Sequence, residues 1–163
     1  MKFADFDQLD CSIAKTLSVI GDKWTLMILR ECFMRVRRFD IFEQRLGISR
    51  HLLSVRLKSL VSNGVLLRVA YGAAGRRFEY RLTQKGLDLY PIFLSLMSWG
   101  DKWESSNGPP LVLRHQLCGQ VTSGVLVCTE CKVPIDARDM RPEQQKSLTN
   151  YDHKALKPKR LAE

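Results

Sequence analysis

The sequence predicts a mostly helical α+β fold in which short helices are followed by a two-stranded β-hairpin and one more helix. Three observations lead to this prediction. Apolar residues recur at three- and four-residue spacing over residues 12–63, which is the period of a helix. Polar and apolar residues alternate over residues 76–82, which is the period of a half-buried strand. Glycines stand where several of these segments end, as turns between elements require.

The composition is that of a basic globular protein. The chain has 163 residues, 45% of them hydrophobic, which suits one core with attachments. No apolar run approaches the roughly 18 residues that cross a bilayer, and residues 1–5 lack the start of a signal peptide, so we expect a cytoplasmic protein without a membrane span. Five cysteines, an odd number, fit a reducing compartment. The net charge of +9 favours a polyanionic partner, with nucleic acid ahead of an anionic membrane surface.

Two helices are predicted before residue 34. The first spans residues 12–20, with Ile13, Leu17 and Ile20 on one face and Gly21 at its end. The second, over residues 25–33, is too apolar to have a wide polar face and is therefore interpreted as a core helix. Trp24 precedes it, and a buried anchor is a simpler interpretation of this residue than a ligand-stacking group.

A helix-turn-helix is predicted over residues 39–63. Its first helix has Phe39, Ile41, Phe42 and Leu46 as apolar positions and ends at Gly47, which permits a sharp turn. Ser49 is a good N-cap for the second helix, which runs from residue 50 to about 63. Its buried stripe consists of Leu53, Leu57, Leu60 and Val61. The opposite face is polar and cationic and has no acidic residue.

A β-hairpin and a long helix follow. Residues 65–70 and 76–82 are predicted strands around the turn at residues 71–75, with Phe78, Tyr80 and Leu82 facing inward and Arg77, Glu79 and Arg81 facing solvent. Thr83 is the predicted N-cap of a helix that extends to about residue 103. That helix is more apolar than a small core needs, which indicates burial against the same helix of a second copy.

The predicted fold is therefore a winged helix-turn-helix with a two-stranded wing, dimerising terminal helices and a small Cys-rich β appendage. Five segments are expected: an N-terminal arm at 1–10, the DNA-binding and dimerisation domain at 11–106, a linker at 107–110, a Cys-rich hairpin or zinc-ribbon-like segment at 111–140, and a polar basic tail at 141–163.

The cationic face of the second helix, together with the hairpin, predicts binding to double-stranded DNA. A helix with cations in its first turns can enter the major groove, and a basic hairpin tip can reach the neighbouring minor groove or the phosphates. Ordinary solubilising charge is the alternative, but acids are few between residues 35 and 58. The candidate DNA contacts are Arg38, Ser49, Arg50, His51, Ser54, Val55, Arg56, Lys58, Arg76 and Arg77.

The chain resembles the HxlR family of winged helix-turn-helix regulators, relatives in fold of the MarR group. The resemblance covers residues 11 to about 103 and rests on Cys11-Ser12-Ile13, Leu17, Ile20-Gly21-Asp22-Lys23-Trp24, Ile28-Leu29-Arg30, Arg38-Phe39, Gly47-Ile48-Ser49, Leu53, Arg56-Leu57, Leu60, Asn63-Gly64, Tyr80-Arg81-Leu82-Thr83, Gly86 and Trp99-Gly100. It implies a bacterial homodimer that binds an inverted repeat and controls a nearby gene, without catalysis.

Cys11 occupies the position at which some members of that family have a redox or electrophile sensor. A thiol at the start of a helix is accessible and is favoured as thiolate by the helix dipole. The alternative is a small residue that packs the helix entrance. A small hydrophobic ligand at a dimer interface is an equally open signal.

The Cys-rich segment contains His115-x-x-Cys118-Gly119 and Cys128-x-x-Cys131. Two such pairs about ten residues apart have the spacing of a zinc ribbon, in which a Zn²⁺ ion with four protein ligands is structural. A metal-free hairpin and a disulfide between Cys128 and Cys131 are the alternatives.

Catalysis has little support in the sequence. No paired acids or nucleophile and base spacing accompany the histidines, and the glycines at 72–75 lack the following Lys-Ser or Lys-Thr of a phosphate-binding loop. The rival from another class is a zinc-ribbon module that tethers a partner protein.

Overall fold

The computed structural model describes residues 11–72 and 77–143. The predicted N-terminal arm at 1–10, the hairpin tip with Arg76, and the tail beyond residue 143 lie outside the described residues. None of the described helices is both long enough and apolar enough to cross a bilayer.

Two helices open the described chain. Helix α1 spans Ser12–Ile20 and ends at Gly21, as predicted. Helix α2 spans Lys23–Phe33 and begins two residues earlier than predicted. The reason is Asp22, whose Oδ1 accepts hydrogen bonds from the backbone N–H groups of Trp24 at 3.0 Å and Thr25 at 3.2 Å and so caps the first turn.

The helix-turn-helix consists of α3, Phe39–Leu46, and α4, Arg50–Ser62. Gly47 adopts φ 62°, the left-handed conformation that suits glycine and allows the sharp turn after α3. Ser49 caps α4, because its hydroxyl accepts the Leu52 N–H at 3.4 Å. The predicted order of helix, glycine turn and capped helix is confirmed.

The wing consists of strand β1, Leu66–Tyr71, and strand β2, Arg77–Leu82, paired antiparallel with Leu66 opposite Leu82. Phe78, Tyr80 and Leu82 are half-buried, whereas Arg77 and Arg81 are exposed, as the alternation predicted. Glu79 differs from the prediction because its side chain is only 20% exposed. It accepts hydrogen bonds from Arg81, and its backbone forms a bridge with Arg38.

The terminal helix is interrupted where one continuous helix was predicted. Helix α5 is the short segment Gln84–Leu87, capped by Thr83, and α6 spans Tyr90–Trp103. Pro91 explains the break, because it has no N–H to donate to residue 87 in a continuous helix. Gly86 allows α5 to approach the sheet closely, since a Cβ there would lie 2.4 Å from the Val65 carbonyl oxygen.

The core lies between α2, α3, α4 and the base of the wing. Its fully buried side chains are Ile28, Leu29, Phe42, Leu53, Leu57, Leu60, Val65 and Leu66. Glu31 is also fully buried, and its carboxylate accepts hydrogen bonds from Arg30 and Arg45. The pair with Arg45 joins α2 to α3.

Helix α6 has three differently occupied faces. Phe93 enters the core and packs on Phe33, with ring centroids 5.0 Å apart. A second face lines a cavity of about 330 Å³ between α6 and the C-terminal segment. The third face presents four large apolar side chains that are between 40% and 64% exposed, here called the outer stripe: Ile92, Leu96, Trp99 and Trp103.

The C-terminal segment, residues 111–143, has little structure of its own. Strands β3, Leu113–Arg114, and β4, Val121–Thr122, pair antiparallel. Val127 and Pro134 form an isolated bridge. Every residue of the segment is exposed except Leu113 and Cys128, which are half-buried.

Candidate nucleic-acid interface

Apart from Val55, the exposed residues at the start of α4 are polar or cationic. Ser49, Arg50, His51, Val55 and Lys58 are exposed, and Ser54 is half-buried. The opposite side of the helix, Leu53, Leu57 and Leu60, is buried against the core. This division fixes the rotation of α4, so that its polar side chains project away from the protein together.

Arg50 is held at the start of α4 by two contacts. Its Nη1 lies 3.0 Å from Glu43 Oε2, and its guanidinium lies 5.4 Å from the ring centroid of Phe39. Both partners belong to α3. The Arg50 side chain is nevertheless 75% exposed, and an exposed ion pair of this kind exchanges readily because it is worth little energy.

Arg56 is placed differently from the other predicted contacts. Its Nη2 lies 2.9 Å from Asp22 Oδ2, and both side chains are only about one third exposed. Asp22 is the N-cap of α2, so this ion pair joins the middle of α4 to the start of α2. The Nε of Arg56 is buried and has no hydrogen-bond partner in the described part of the chain.

Arg56 is therefore expected to stabilise the fold as well as any DNA complex. Replacing Arg56 with Met should lower the free energy of unfolding by about 1–2 kcal/mol, because the Asp22 carboxylate loses a half-buried charged partner. Asp22→Asn keeps a capping side chain but removes the charge. A double-mutant cycle measured by urea unfolding should give a coupling of about 1 kcal/mol. Arg50→Met is the control, with a loss under about 0.5 kcal/mol. Zero coupling would mean that the pair does not stabilise the fold.

The wing is fastened to the segment that precedes α3. The Tyr80 N–H donates to the Arg37 carbonyl at 2.8 Å, and Arg38 forms a β-bridge with Glu79. The Arg38 side chain donates to Asp40 through Nε at 3.1 Å and Nη2 at 2.6 Å. This hydrogen bonding holds the pKa of the Asp40 carboxyl below its usual range. The carboxylate is thus ionised at neutral pH, and Arg38 faces the wing with its charge partly compensated.

A basic cleft of about 460 Å³ lies between the start of α4 and the wing. Three guanidinium groups and one carboxylate line it, which leaves a net positive charge. Its lining residues are Arg38, Phe39, Asp40, Arg50, Tyr71, Arg77 and Phe78. Guanidinium groups that converge on one cleft suit a phosphate, because each presents planar paired donors.

The predicted site residues did not include several residues of this region, among them Tyr71 and Asp22. Tyr71 lines the basic cleft with its hydroxyl-bearing side chain, and its position next to the glycine turn was the available signal. Asp22 was known only from the family motif. Its pairing with Arg56 joins residues 34 positions apart, and no local pattern in the sequence reports such a contact.

The two cysteines of the helical domain have different environments. Cys11 is half-buried at the N-cap of α1 and makes no side-chain capping bond. Cys32 is buried, which together with the neighbouring Glu31 raises its pKa to about 12. Cys32 is therefore a protonated core residue rather than a reactive thiol.

The candidate metal ligands form two pairs. His115 Nδ1 lies 3.4 Å from Cys118 Sγ. The Cys128 sulfur accepts hydrogen bonds from the backbone N–H groups of Cys131 and Glu130 and from the Cys131 thiol, which lower the pKa of Cys128. Across residues 11–72 and 77–143, no three His, Cys, Asp or Glu side chains gather into one cluster that could hold a metal ion. The two pairs are thus separate, and all five cysteines are free thiols.

The fold and the cationic surface together define a transcriptional regulator with a winged helix-turn-helix DNA-binding fold. The chain belongs to the HxlR-like helix-turn-helix family, whose sequence pattern matches residues 19–107. Members of this family are regulators and not enzymes.

Relatives of this chain carry the same description. It is 45% identical over 133 residues to an uncharacterized HTH-type transcriptional regulator of Mycobacterium tuberculosis, covering 81% of this chain and 84% of the relative. It is 32% identical over 95 residues to the uncharacterized HTH-type transcriptional regulator YdeP of Bacillus subtilis, covering 58% and 74% of the two chains.

Solved structures support the same fold. The crystal structure of PA1607, a candidate transcription factor, matches with a TM-score of 0.78 and 32% identity over 86% of this chain and 99% of that chain. The redox regulator HypR in its oxidized form matches with a TM-score of 0.52 and 31% identity over 56% and 96%. The PA1607 match covers 86% of this chain and the mycobacterial match covers 81%. Matches of this length must extend beyond residue 107, so the similarity continues into the Cys-rich segment.

Proposed function

We propose that the protein binds an inverted-repeat DNA operator as a homodimer, in the bacterial cytoplasm, and that a redox or small-molecule signal changes this binding. The observation that carries the proposal is the position of the acid-free polar face of α4 beside the basic cleft. A helix in the major groove reads base edges, and a cleft at its N-terminus takes the adjoining phosphate.

The residues divide into two kinds of contact. His51, Ser54 and Val55 lie on the exposed side of the first two turns of α4, where they can reach base edges. Arg38, Arg50 and Arg77 line the basic cleft and are assigned to phosphates. Lys58, exposed one turn further along α4, adds a phosphate contact. Arg56 stays a proposed contact, which would have to exchange its bond to Asp22 for one to DNA.

The outer stripe of α6 is the proposed dimer contact. Ile92, Leu96, Trp99 and Trp103 are separated by four, three and four residues, the spacing that keeps one seam of a helix facing another helix. Four large apolar side chains exposed in a row are unusual on a monomer. A second copy offers the same stripe, and a twofold axis lets each stripe cover the other.

Dimerisation determines the form of the operator. Two copies of α4 related by a twofold axis would enter successive major grooves on one side of the duplex, with half-sites roughly 10 base pairs apart centre to centre. The sequence recognised by one α4 would then be repeated in inverted orientation.

Two features support a regulatory signal. Cys11 is half-buried at the N-terminus of α1, and one similar structure is that of a redox regulator. The cavity of about 330 Å³ beside α6 is lined mostly by apolar side chains such as Leu94 and Met97, which suits a small hydrophobic ligand. The cavity lies next to α6, the element that this proposal assigns to the dimer.

Fluorescence anisotropy tests the proposal. The full chain is titrated onto a duplex from its own upstream region and onto a scrambled duplex at two salt concentrations. We expect the upstream duplex to bind at least about 1,000-fold more tightly, with an affinity that falls steeply as salt rises. Equal, weak binding to both duplexes would contradict sequence recognition and favour a protein tether.

The same assay tests the redox signal. Peroxide should weaken operator binding, a thiol should restore it, and Cys11→Ser should remove the response. A response that persists in Cys11→Ser would exclude Cys11 as the sensor.

A further inference from the structure

The C-terminal segment contains two hairpin tips with the same hydrogen-bond pattern. In the first, the His115 N–H donates to the Gln120 carbonyl at 2.9 Å, and the Gly119 N–H donates to the His115 carbonyl at 2.8 Å. In the second, the Cys128 N–H donates to the Val133 carbonyl at 2.9 Å, and the Lys132 N–H donates to the Cys128 carbonyl at 3.0 Å. Each tip thus places residues i and i+3, a His and a Cys or two Cys, on one tight turn.

The two tips also share a backbone conformation at the residue that follows Cys118 in the first tip and Cys131 in the second. Gly119 has φ 69° and Lys132 has φ 63°. The left-handed conformation costs a lysine roughly 1–2 kcal/mol, because its Cβ approaches the following carbonyl oxygen. Among the described non-glycine residues only Arg35 shares it. The turn at Lys132 therefore keeps the shape of the glycine turn despite a residue that disfavours it.

The distance between the side chains of His115 and Cys118 is close to that between two ligands of one zinc ion. With Zn–N of about 2.0–2.1 Å and Zn–S of about 2.3 Å in tetrahedral geometry, the nitrogen and sulfur of two ligands lie about 3.6 Å apart. The His115 Nδ1 and Cys118 Sγ atoms are 3.4 Å apart. The second pair, Cys128 and Cys131, occupies the matching positions of the second tip, whose backbone hydrogen bonds repeat those of the first.

The segment has little apolar core of its own. Its strands are two residues long, and all its residues are exposed except Leu113 and Cys128, which are half-buried. Segments this small fold when a metal or a disulfide replaces the missing core. The five cysteines are free thiols, which leaves a metal as the available crosslink.

We propose that His115, Cys118, Cys128 and Cys131 bind one structural Zn²⁺ ion that joins the two hairpin tips. Two thiol and imidazole pairs supply the four ligands of a closed tetrahedral site. The two pairs are separate in the structure, so binding must bring the second tip onto the first and thereby order the segment. Because Gly124, between the tips, packs against Leu94 of α6, an ordered segment would also fix the wall of the cavity beside that helix.

Metal analysis of the purified full chain tests the proposal. After dialysis against metal-free buffer, elemental analysis should find about one zinc ion per chain. Cys118→Ser and Cys131→Ser each remove one candidate ligand from one pair, and each should reduce the zinc content at least about tenfold. Cys11→Ser is the control and should keep the zinc content unchanged. His115→Cys should also retain it, because a thiolate replaces an imidazole in such sites. Cobalt in place of zinc should give the visible absorption of tetrahedral thiolate coordination.

Three outcomes would overturn the proposal. The first is a chain that holds no zinc when purified and none after reconstitution with zinc chloride. The second is a zinc content that is unchanged in Cys118→Ser or in Cys131→Ser, which would mean that the two pairs do not share one ion. The third is a purified chain with a Cys128–Cys131 disulfide, seen as a mass lower by two hydrogens. Circular dichroism checks that the serine variants keep the helical domain folded.

Discussion

Replacing Arg50 with Glu should weaken operator binding by at least about 100-fold. Arg50 stands at the start of α4 and lines the basic cleft, so the substitution removes a guanidinium from the position assigned to a phosphate. A hydrogen bond to a charged group is worth about 1.5–3 kcal/mol, and the dimer loses this contact twice. The new carboxylate adds repulsion from the phosphate and from Glu43, which the native Arg50 contacts at 3.0 Å.

Anisotropy on the operator measures this effect, and Arg141→Glu is the matched control. Arg141 is exposed in the C-terminal segment and undergoes the same change of charge. We expect the control to change affinity by less than about threefold and leave the salt dependence steep. Similar losses in the two variants would mean that net charge alone drives binding. Urea unfolding of both variants would exclude a folding defect.

Replacing Trp99 with Glu should separate the dimer and, with it, high-affinity binding. Trp99 lies in the middle of the outer stripe and is 59% exposed in the single chain. In a twofold interface the two carboxylates would be buried close to one another, and a central apolar anchor of this kind is worth about 2–4 kcal/mol. We expect dimer dissociation to rise at least about 100-fold, as measured by sedimentation equilibrium.

Leu67→Glu is the control for this experiment, because Leu67 is 56% exposed on the wing and distant in sequence from the stripe. It should leave the dimer intact. The helical content of Trp99→Glu should be unchanged, since the outer stripe is not part of the core. A dimer that withstands Trp99→Glu would place the interface elsewhere, and the exposed Ile13 and Leu17 of α1 would be the next face to test.

Local chemistry explains why most of the fold could be predicted. Gly47 and Ser49 encode the turn and the cap between α3 and α4 by their own conformational preferences. The alternation in β2 predicted its inward face, and Leu53, Leu57 and Leu60 predicted the buried side of α4. The break before α6 was missed, although Pro91 carries the signal, because the apolar period continues through it.

The candidate site was predictable only as a list of residue types. The sequence shows which side of α4 is cationic, but not that Arg56 is bound to Asp22 or that Arg50 is bound to Glu43. It predicted Glu79 as a solvent-facing residue, whereas a bridge to Arg38 draws it inward. Such pairings depend on contacts between elements, which have no period along the chain.

Asp22 has a consequence for genetics. One of its carboxylate oxygens caps α2 and the other binds Arg56, so a substitution that removes both oxygens would destabilise two helices at once. A selection for bacteria that have lost regulation should therefore recover alleles at codon 22 alongside alleles in α4. The alleles at codon 22 would act through the cap of α2 and the ion pair with Arg56, and not through a direct contact with DNA.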